Sequence, residues 1–245
     1  MYLFENDEHA ELRRNTRRFA ETRIAPFAHA WEEACEFPRE LYVEAAQAGF
    51  LGVGYAEALG GAGGDITHTL VAAEELVLAG HSVGTCVGLG SHGIALPPIV
   101  RHGTPEQQVR FVSPVLSGEK ISALGITEPG GGSDVANLRT TAVRSGDHFV
   151  VNGAKTFITS GCRADLVTLA VRTGGPGHGG ISLLVVERGT PGFTAGKKLK
   201  KTGWWATDTA ELAFADCEVP VENLIGEENM GFYAIMMNFA SERIY

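Results

Sequence analysis

The hydrophobic pattern of this chain changes period near residue 118, and that change calls for two different kinds of domain. Before it, apolar residues recur at helical spacing. Asn6 or Asp7 can cap a helix bearing Leu12 and Phe19 and reaching toward Trp31, with Pro26 bending or breaking it. Pro38 suits a first helical position ahead of the stripe Leu41, Ala45 and Ala48, which Gly49 stops. Asp65 or Thr67 caps a helix running through Leu70, Val71, Val77 and Leu78 to Gly80. Thr104-Pro105-Glu106-Gln107 is a capping box with proline in the first turn, opening a helix toward Leu116.

After Ser117-Gly118 the period falls to two. Segments 121–127, 140–144, 149–152, 155–159, 166–172, 181–188 and 209–219 read as strands. Ser145-Gly146-Asp147 marks one turn, and Asn152-Gly153 predicts a hairpin. Short strands joined by tight turns imply a barrel or sandwich, not a doubly wound sheet. Helical spacing returns from residue 229, with Phe232, Ile235, Met236 and Phe239 on one side. The expected fold class is α+β and multidomain. It has an N-terminal α-helical domain at 1–117, a middle β-barrel or sandwich domain at 118–228, and the first helix of a C-terminal helical bundle at 229–245. A helix ending with the chain at Tyr245 is expected to lack most of its packing partners.

With 44% hydrophobic and 20% charged residues, the chain has the makeup of an ordinary globular protein. Its apolar runs are too short to span a bilayer, so no membrane insertion is expected. The start, MYLFENDEHAELRR, carries acids where a secretion signal needs a basic and then an apolar stretch, so a cytoplasmic location is expected. A net charge of -9 argues against nucleic acid as a partner. Lys197, Lys198, Lys200 and Lys201 read as a solvated strand end. The four cysteines form no CxxC pair and the eight histidines no HExxH, so neither a disulfide framework nor a metal is expected.

Two segments can carry chemistry. The first is Leu124-Gly125-Ile126-Thr127-Glu128-Pro129-Gly130-Gly131-Gly132-Ser133-Asp134, a strand running into three glycines, a hydroxyl and a carboxylate. Glycine admits close approach of a ligand to backbone N–H groups, a cradle for phosphate, although such a loop also serves as a plain turn. The second is Lys155-Thr156-Phe157-Ile158-Thr159-Ser160-Gly161. Phe157 and Thr159 share a strand face and could stack on a planar ring while bonding its polar edge; each alone also fits an ordinary core or surface position. Gly60-Gly61-Ala62-Gly63-Gly64-Asp65 lacks the Lys-Ser/Thr of a phosphate-binding loop and reads as a surface loop. Glu74 and Glu75 read as surface or ion-pair residues, and His92 as structural.

Taken together, TEPGGGSD, VNGAKTFITSG and KTGWWATDTAELAFADCEVPVENLIGEENMGF resemble the acyl-CoA dehydrogenase family, as do GTPEQQVRF and the LSGEKISALGITEP junction. The resemblance runs through nearly the whole chain, with the motifs in family order. It implies FAD as cofactor, an acyl-CoA substrate, electron-transfer flavoprotein as electron acceptor, and a homotetramer when the chain is full length. It implies that the segment from Leu124 to Ser133 is the first FAD segment, with Thr127 bonding the flavin ring and Ser133 near both the pyrophosphate and the thioester. Phe157, Ile158 and Thr159 match the second segment, flanking the isoalloxazine. Many relatives carry Trp at the position of Phe157, so an indole N–H donor is lost here. Tyr233, Ala240, Ser241, Glu242 and Arg243 match positions that contact the CoA ester, and many relatives carry Asp at the position of Ala240. Most members keep the catalytic base in a loop of the third domain. The long-chain and isovaleryl types keep it on the helix with a Glu-Arg pair, which Glu242-Arg243 matches, making Glu242 the candidate base; a Glu–Arg pair on a solvated helix face is the plainer reading. Two alternatives stay open. One is an acyl-CoA oxidase or flavin monooxygenase on the same scaffold, and the other a non-catalytic or partner-dependent chain.

Overall fold

The structure is a computed structural model and describes residues 2 and 4–242, apart from the side chains of Ser241 and Glu242. Helix α1 (Asp7–Phe19) begins at Asn6, whose carboxamide accepts the His9 N–H at 3.1 Å while the His9 ring faces back to the Asn6 N–H. The helix continues through a wider turn, Ala20–Ile24, and breaks after Pro26 before α2 (Ala28–Ala34). α3 spans Glu40–Gln47, starting two residues beyond Pro38, and Gly49 ends it with a left-handed φ of 86°.

Asp65 caps α4 (Ile66–Gly80), which packs along α1. One buried carboxylate ties that pair: Glu75 is 1% exposed and meets both Arg13 (2.7 Å) and Arg17 (2.9 Å). Then come α5 (Val83–Leu89), α6 (His92–Ala95), α7 (Pro97–His102), α8 (Pro105–Phe111) with the expected capping box at Thr104, and α9 (Ser113–Leu116). Among the described residues no single helix is long and apolar enough to cross a bilayer.

α5 to α7 fill a stretch whose small residues hide its helicity from the hydrophobic pattern. Glycine is needed here for proximity: a Cβ at Gly88 would sit 2.5 Å from the Phe37 ring. Glycine's weak helix propensity is overridden by that packing.

The β region forms one mixed sheet of β1 (Ser122–Gly125), β2 (Thr141–Ser145), β3 (His148–Thr159), β4 (Leu166–Arg172), β5 (Ile181–Glu187), β6 (Phe193–Lys198), β7 (Thr209–Pro220) and β8 (Leu224–Ile225). The strand order is β6-β7-β3-β2-β4-β5-β8, with β1 parallel to β4. β4 and β5 are buried on both faces. Val167, Leu169, Leu184 and Val186 join Phe149, Val151, Leu212 and Phe214 of β3 and β7 in one core, so the sheet folds over on itself. Leu166, Ala170, Leu183 and Val185 face the other way, onto Leu96, Ile99, Phe111 and Ile235 of the helices. The final helix, α10 (Gly231–Glu242), lies on this second core.

The expected hairpin at Asn152-Gly153 does not form. β3 runs straight through it, with a register shift against β7 between Val151 and Gly153. A Cβ at Gly153 would fall 2.6 Å from the Thr140 hydroxyl, so glycine marks a close approach and a bulge rather than a turn. β6 and β8 were absent from the pattern-based expectation: β6 is a half-exposed strand and β8 has only two residues.

Candidate functional site

β1 ends where β3 passes it, and this brings the two chemical segments together. The Thr156 N–H donates to the Thr127 carbonyl at 2.9 Å. On either side of Thr127, the Lys155 ammonium donates to the Ile126 carbonyl (3.1 Å) and to Glu128 Oε1 (2.8 Å). Glu128 also accepts the backbone N–H groups of Arg139 (2.6 Å) and Thr140 (2.8 Å). Lys155 is fully buried and Glu128 nearly so. Burial alone would raise the Glu128 pKa, but the hydrogen bonds from Lys155 and Thr140 bring it below the ordinary carboxylate range. Burial pulls the Lys155 ammonium down to about 8 despite its carboxylate partner. At neutral pH the two form a buried ion pair, an interaction that depends on its extra hydrogen bonds to offset desolvation.

The loop that leaves this strand end is open. Glu128 and Gly131 exchange backbone hydrogen bonds (3.0 and 3.1 Å), which closes a tight turn over Pro129 and Gly130 and occupies the Gly131 N–H. None of Gly125, Gly130, Gly131 and Gly132 has a left-handed φ, so what glycine supplies there is space. Nothing lies within 4 Å of a Cβ built on Gly130 or Gly131, and one on Gly132 would touch the Thr127 methyl at 3.1 Å. Ser133 is exposed on the same loop.

In the second segment Ile158 is sunk into the sheet's inner core while Phe157 is 69% exposed. Phe157 takes a left-handed φ of 58° within a second register shift against β7, between Lys155 and Ile158. A bulky residue held there is strained, and such strain clusters at functional positions.

The side chains within the segments divide by what they can reach. Ile126 and Ile158 belong to hydrophobic cores, Leu124 packs against one, and the Glu128 carboxylate is committed to protein donors. Ile126, Ile158 and Glu128 can meet a ligand only through their backbone. Thr127, Ser133, Phe157 and Thr159 keep exposed or half-exposed side chains.

Thr159 also lines a cavity of about 670 Å³ that lies among the helices. α4 and its cap contribute Asp65, Ile66, Thr69, Ala72, Ala73 and Leu76, one stripe at helical spacing, so the cavity follows that helix for about 16 Å. Cys86 and Val87 of α5, His92, Trp204 and Asn238 of α10 complete much of the wall. The Asn238 amide donates to the Ile94 carbonyl at 2.9 Å. His92 faces the Leu89 carbonyl at 2.9 Å, and burial keeps its pKa low, so it is neutral.

Tyr233 is half-exposed and Ala240 exposed on α10, whose Ile235 shares a core with Ile126. The side chains of Ser241 and Glu242, and Arg243 entirely, lie outside the described residues. Pattern reading missed Lys155 as a partner of Glu128, because a lysine inside a strand gives no sign of its burial. His9, Asp65 and His68 also meet, with ligand-type atoms within 4.8 Å. His9 Nδ1 and Asp65 Oδ1 are engaged in capping α1 and α4, His9 Nε2 meets the Thr67 hydroxyl at 2.8 Å, and the two rings stack at 4.0 Å.

The model of the acyl-CoA dehydrogenase N-terminal domain matches residues 6–119, and that of the middle domain matches residues 123–217. The chain is 43% identical over 98% of its length to the mitochondrial long-chain specific acyl-CoA dehydrogenase of Rattus norvegicus, 56% of which it covers. Among solved structures it resembles a probable acyl-CoA dehydrogenase from Mycobacterium abscessus, with 52% identity and a TM-score of 0.95 over 97% of this chain and 63% of that one. A glutaryl-CoA dehydrogenase from Mycobacterium smegmatis, solved in complex with FADH2, gives 29% identity and a TM-score of 0.88 over 98% and 60% of the two chains. The chain thus spans little more than half the length of the curated relative it matches.

Proposed function

The chain belongs to the acyl-CoA dehydrogenase family, and from that premise we propose that the protein carrying it oxidises an acyl-CoA thioester to the 2-enoyl-CoA with FAD. The observation that carries the reading is the junction of residues 126–128 with Lys155 and Thr156 beside a cavity that Thr159 lines. It gathers an exposed aromatic, hydroxyls and bare glycine backbone around two joined segments, one of which lines an apolar cavity through Thr159. That is the donor set a flavin ring and a fatty acyl chain require together.

When bound, FAD supplies the acceptor for the β-hydride. The protein's tasks are to hold, orient and keep dry. Thr127 is the candidate bond to the ring, Phe157 and Thr159 flank it, and Ser133 reaches the pyrophosphate and thioester from the glycine loop. The acyl tail occupies the cavity along α4, where apolar walls exclude water. Glu242, at the end of α10, is the candidate for removing the α-proton, a task for which desolvation would raise a carboxylate's pKa toward the working pH. Tyr233, Ala240, Ser241 and Arg243 then lie along the CoA ester. Electrons leave to an electron-transfer flavoprotein, and the assembled protein is a homo-oligomer.

The test is an anaerobic titration of the purified protein with acyl-CoA. A bound flavin whose visible absorbance bleaches on addition supports the reading. Colourless protein that takes up no added FAD would refute it, and oxygen consumption with substrate alone would assign the protein to the oxidases instead.

A further inference from the structure

We propose that the buried Lys155–Glu128 pair is a positioning device that holds the glycine loop and Thr127 ready for the cofactor. The assignment rests on the flavin reading above.

The geometry is a clamp on three consecutive residues. The backbone carbonyls of Ile126 and Thr127 and the side chain of Glu128 each accept a hydrogen bond from Lys155 or Thr156 of β3. Glu128 acts a second time, because its carboxylate accepts the N–H groups of Arg139 and Thr140. Residue 128 and residues 139–140 are the two ends of the loop that carries Gly130, Gly131, Gly132 and Ser133. The pair therefore closes the neck of that loop and fastens the neck to the strand bearing Phe157 and Thr159.

A pair in this position is a poor choice for stability alone. Removing an ammonium and a carboxylate from water costs several kcal/mol, and a well-packed apolar pair of similar volume often does as well or better. What it provides is a fixed orientation: an ammonium and a carboxylate have directional partners, and here all those partners lie beside the candidate ligand contacts. The far side of the loop has its own anchor, since Arg172 donates to the Leu138 carbonyl (3.0 Å) and the Ala136 carbonyl (2.6 Å). Loss of the Lys155–Glu128 pair should loosen the loop's ligand-facing half without releasing the whole loop.

The experiment compares apoprotein of the full polypeptide with the double variant Lys155→Met/Glu128→Gln. Free FAD is the probe, with affinity read by flavin fluorescence and stability by thermal unfolding of the apo forms. The expected result is a variant that melts within a few degrees of wild type but binds FAD at least tenfold more weakly. FAD affinity within twofold of wild type would overturn the proposal. Amide exchange in the unaltered protein gives a second reading that does not depend on the variant folding. The N–H groups of Arg139 and Thr140 should already resist exchange in the FAD-free protein, and free exchange there would overturn the proposal as well. Wild-type protein that binds no FAD would instead bring down the flavin reading itself.

Discussion

Ala73 lies on the α4 stripe of the cavity wall, and replacing it with phenylalanine gives a sharp test of what the cavity holds. A lining that follows α4 for about 16 Å accommodates an extended acyl chain of roughly a dozen carbons. The added ring occupies space that about four methylenes would otherwise fill. At about 0.8 kcal/mol per buried methylene, the loss is about 3 kcal/mol for a chain that needs that space. In kcat/KM this is a fall of roughly 100- to 200-fold. A four-carbon substrate that stops short of Ala73 should keep its kcat/KM within about threefold. The helix itself should tolerate the change, because phenylalanine costs only about 0.5 kcal/mol in propensity relative to alanine. The assay is kcat/KM against a series of straight-chain acyl-CoA esters, for wild type and variant, in the complete protein. Equal losses at every chain length, or no loss for long chains, would refute the assignment of the cavity to the acyl tail.

Further outcomes follow from other parts of the site. Phe157→Gly should leave thermal stability unchanged or about 1 kcal/mol higher, since it relieves a left-handed backbone, while FAD affinity falls; a variant that is less stable and binds FAD normally would contradict the role of Phe157. Glu242→Gln in the complete protein should abolish dehydrogenation while leaving flavin bound, and unchanged turnover would remove Glu242 from the mechanism. Acid should destabilise the fold through Glu75 and Glu128. Burial by itself would raise both pKa values, yet hydrogen bonds from Arg17 and Arg13, and from Lys155 and Thr140, hold them below the ordinary 4.5. Below that pH the unfolded chain binds more protons than the native one, so their contribution is complete above about 4.5 and fades as the pH falls through the lowered native values. The melting temperature should therefore drop between neutral pH and pH values below about 4. A flat profile would show that these carboxylates are not held as described.

The sequence was most legible where local chemistry decides structure. Asn6, Asp65 and Thr104 announce their helices because a short polar side chain before an apolar stripe has few other uses. The switch from helices to strands near residue 118 was visible because periods of 3.6 and 2 impose different patterns. Long-range packing was not visible. Asn152-Gly153 is a strong turn signal taken locally, yet β3 passes straight through it, with Thr140, just ahead of β2, packed closely on Gly153. Glycines that weaken the helical signal of α5 are there so that Phe37 can approach. In the site, Thr127, Ser133, Phe157 and Thr159 could be picked out as ligand-type residues on or beside a strand. The inward turn of Glu128 toward Lys155 could not, since nothing local to either residue forecasts the partner 27 positions away.

The proposed flavin site joins the strand end at Thr127 to the strand face at Phe157 and Thr159 and opens onto the proposed acyl cavity. A crystal structure of the complete protein, grown with FAD and a non-reactive acyl-CoA analogue, tests it most directly. The expected result is the isoalloxazine against Thr127, Phe157 and Thr159, with the acyl tail running beside Ala73 on α4. Ring density away from these residues, or a tail that leaves the α4 cavity empty, would contradict it.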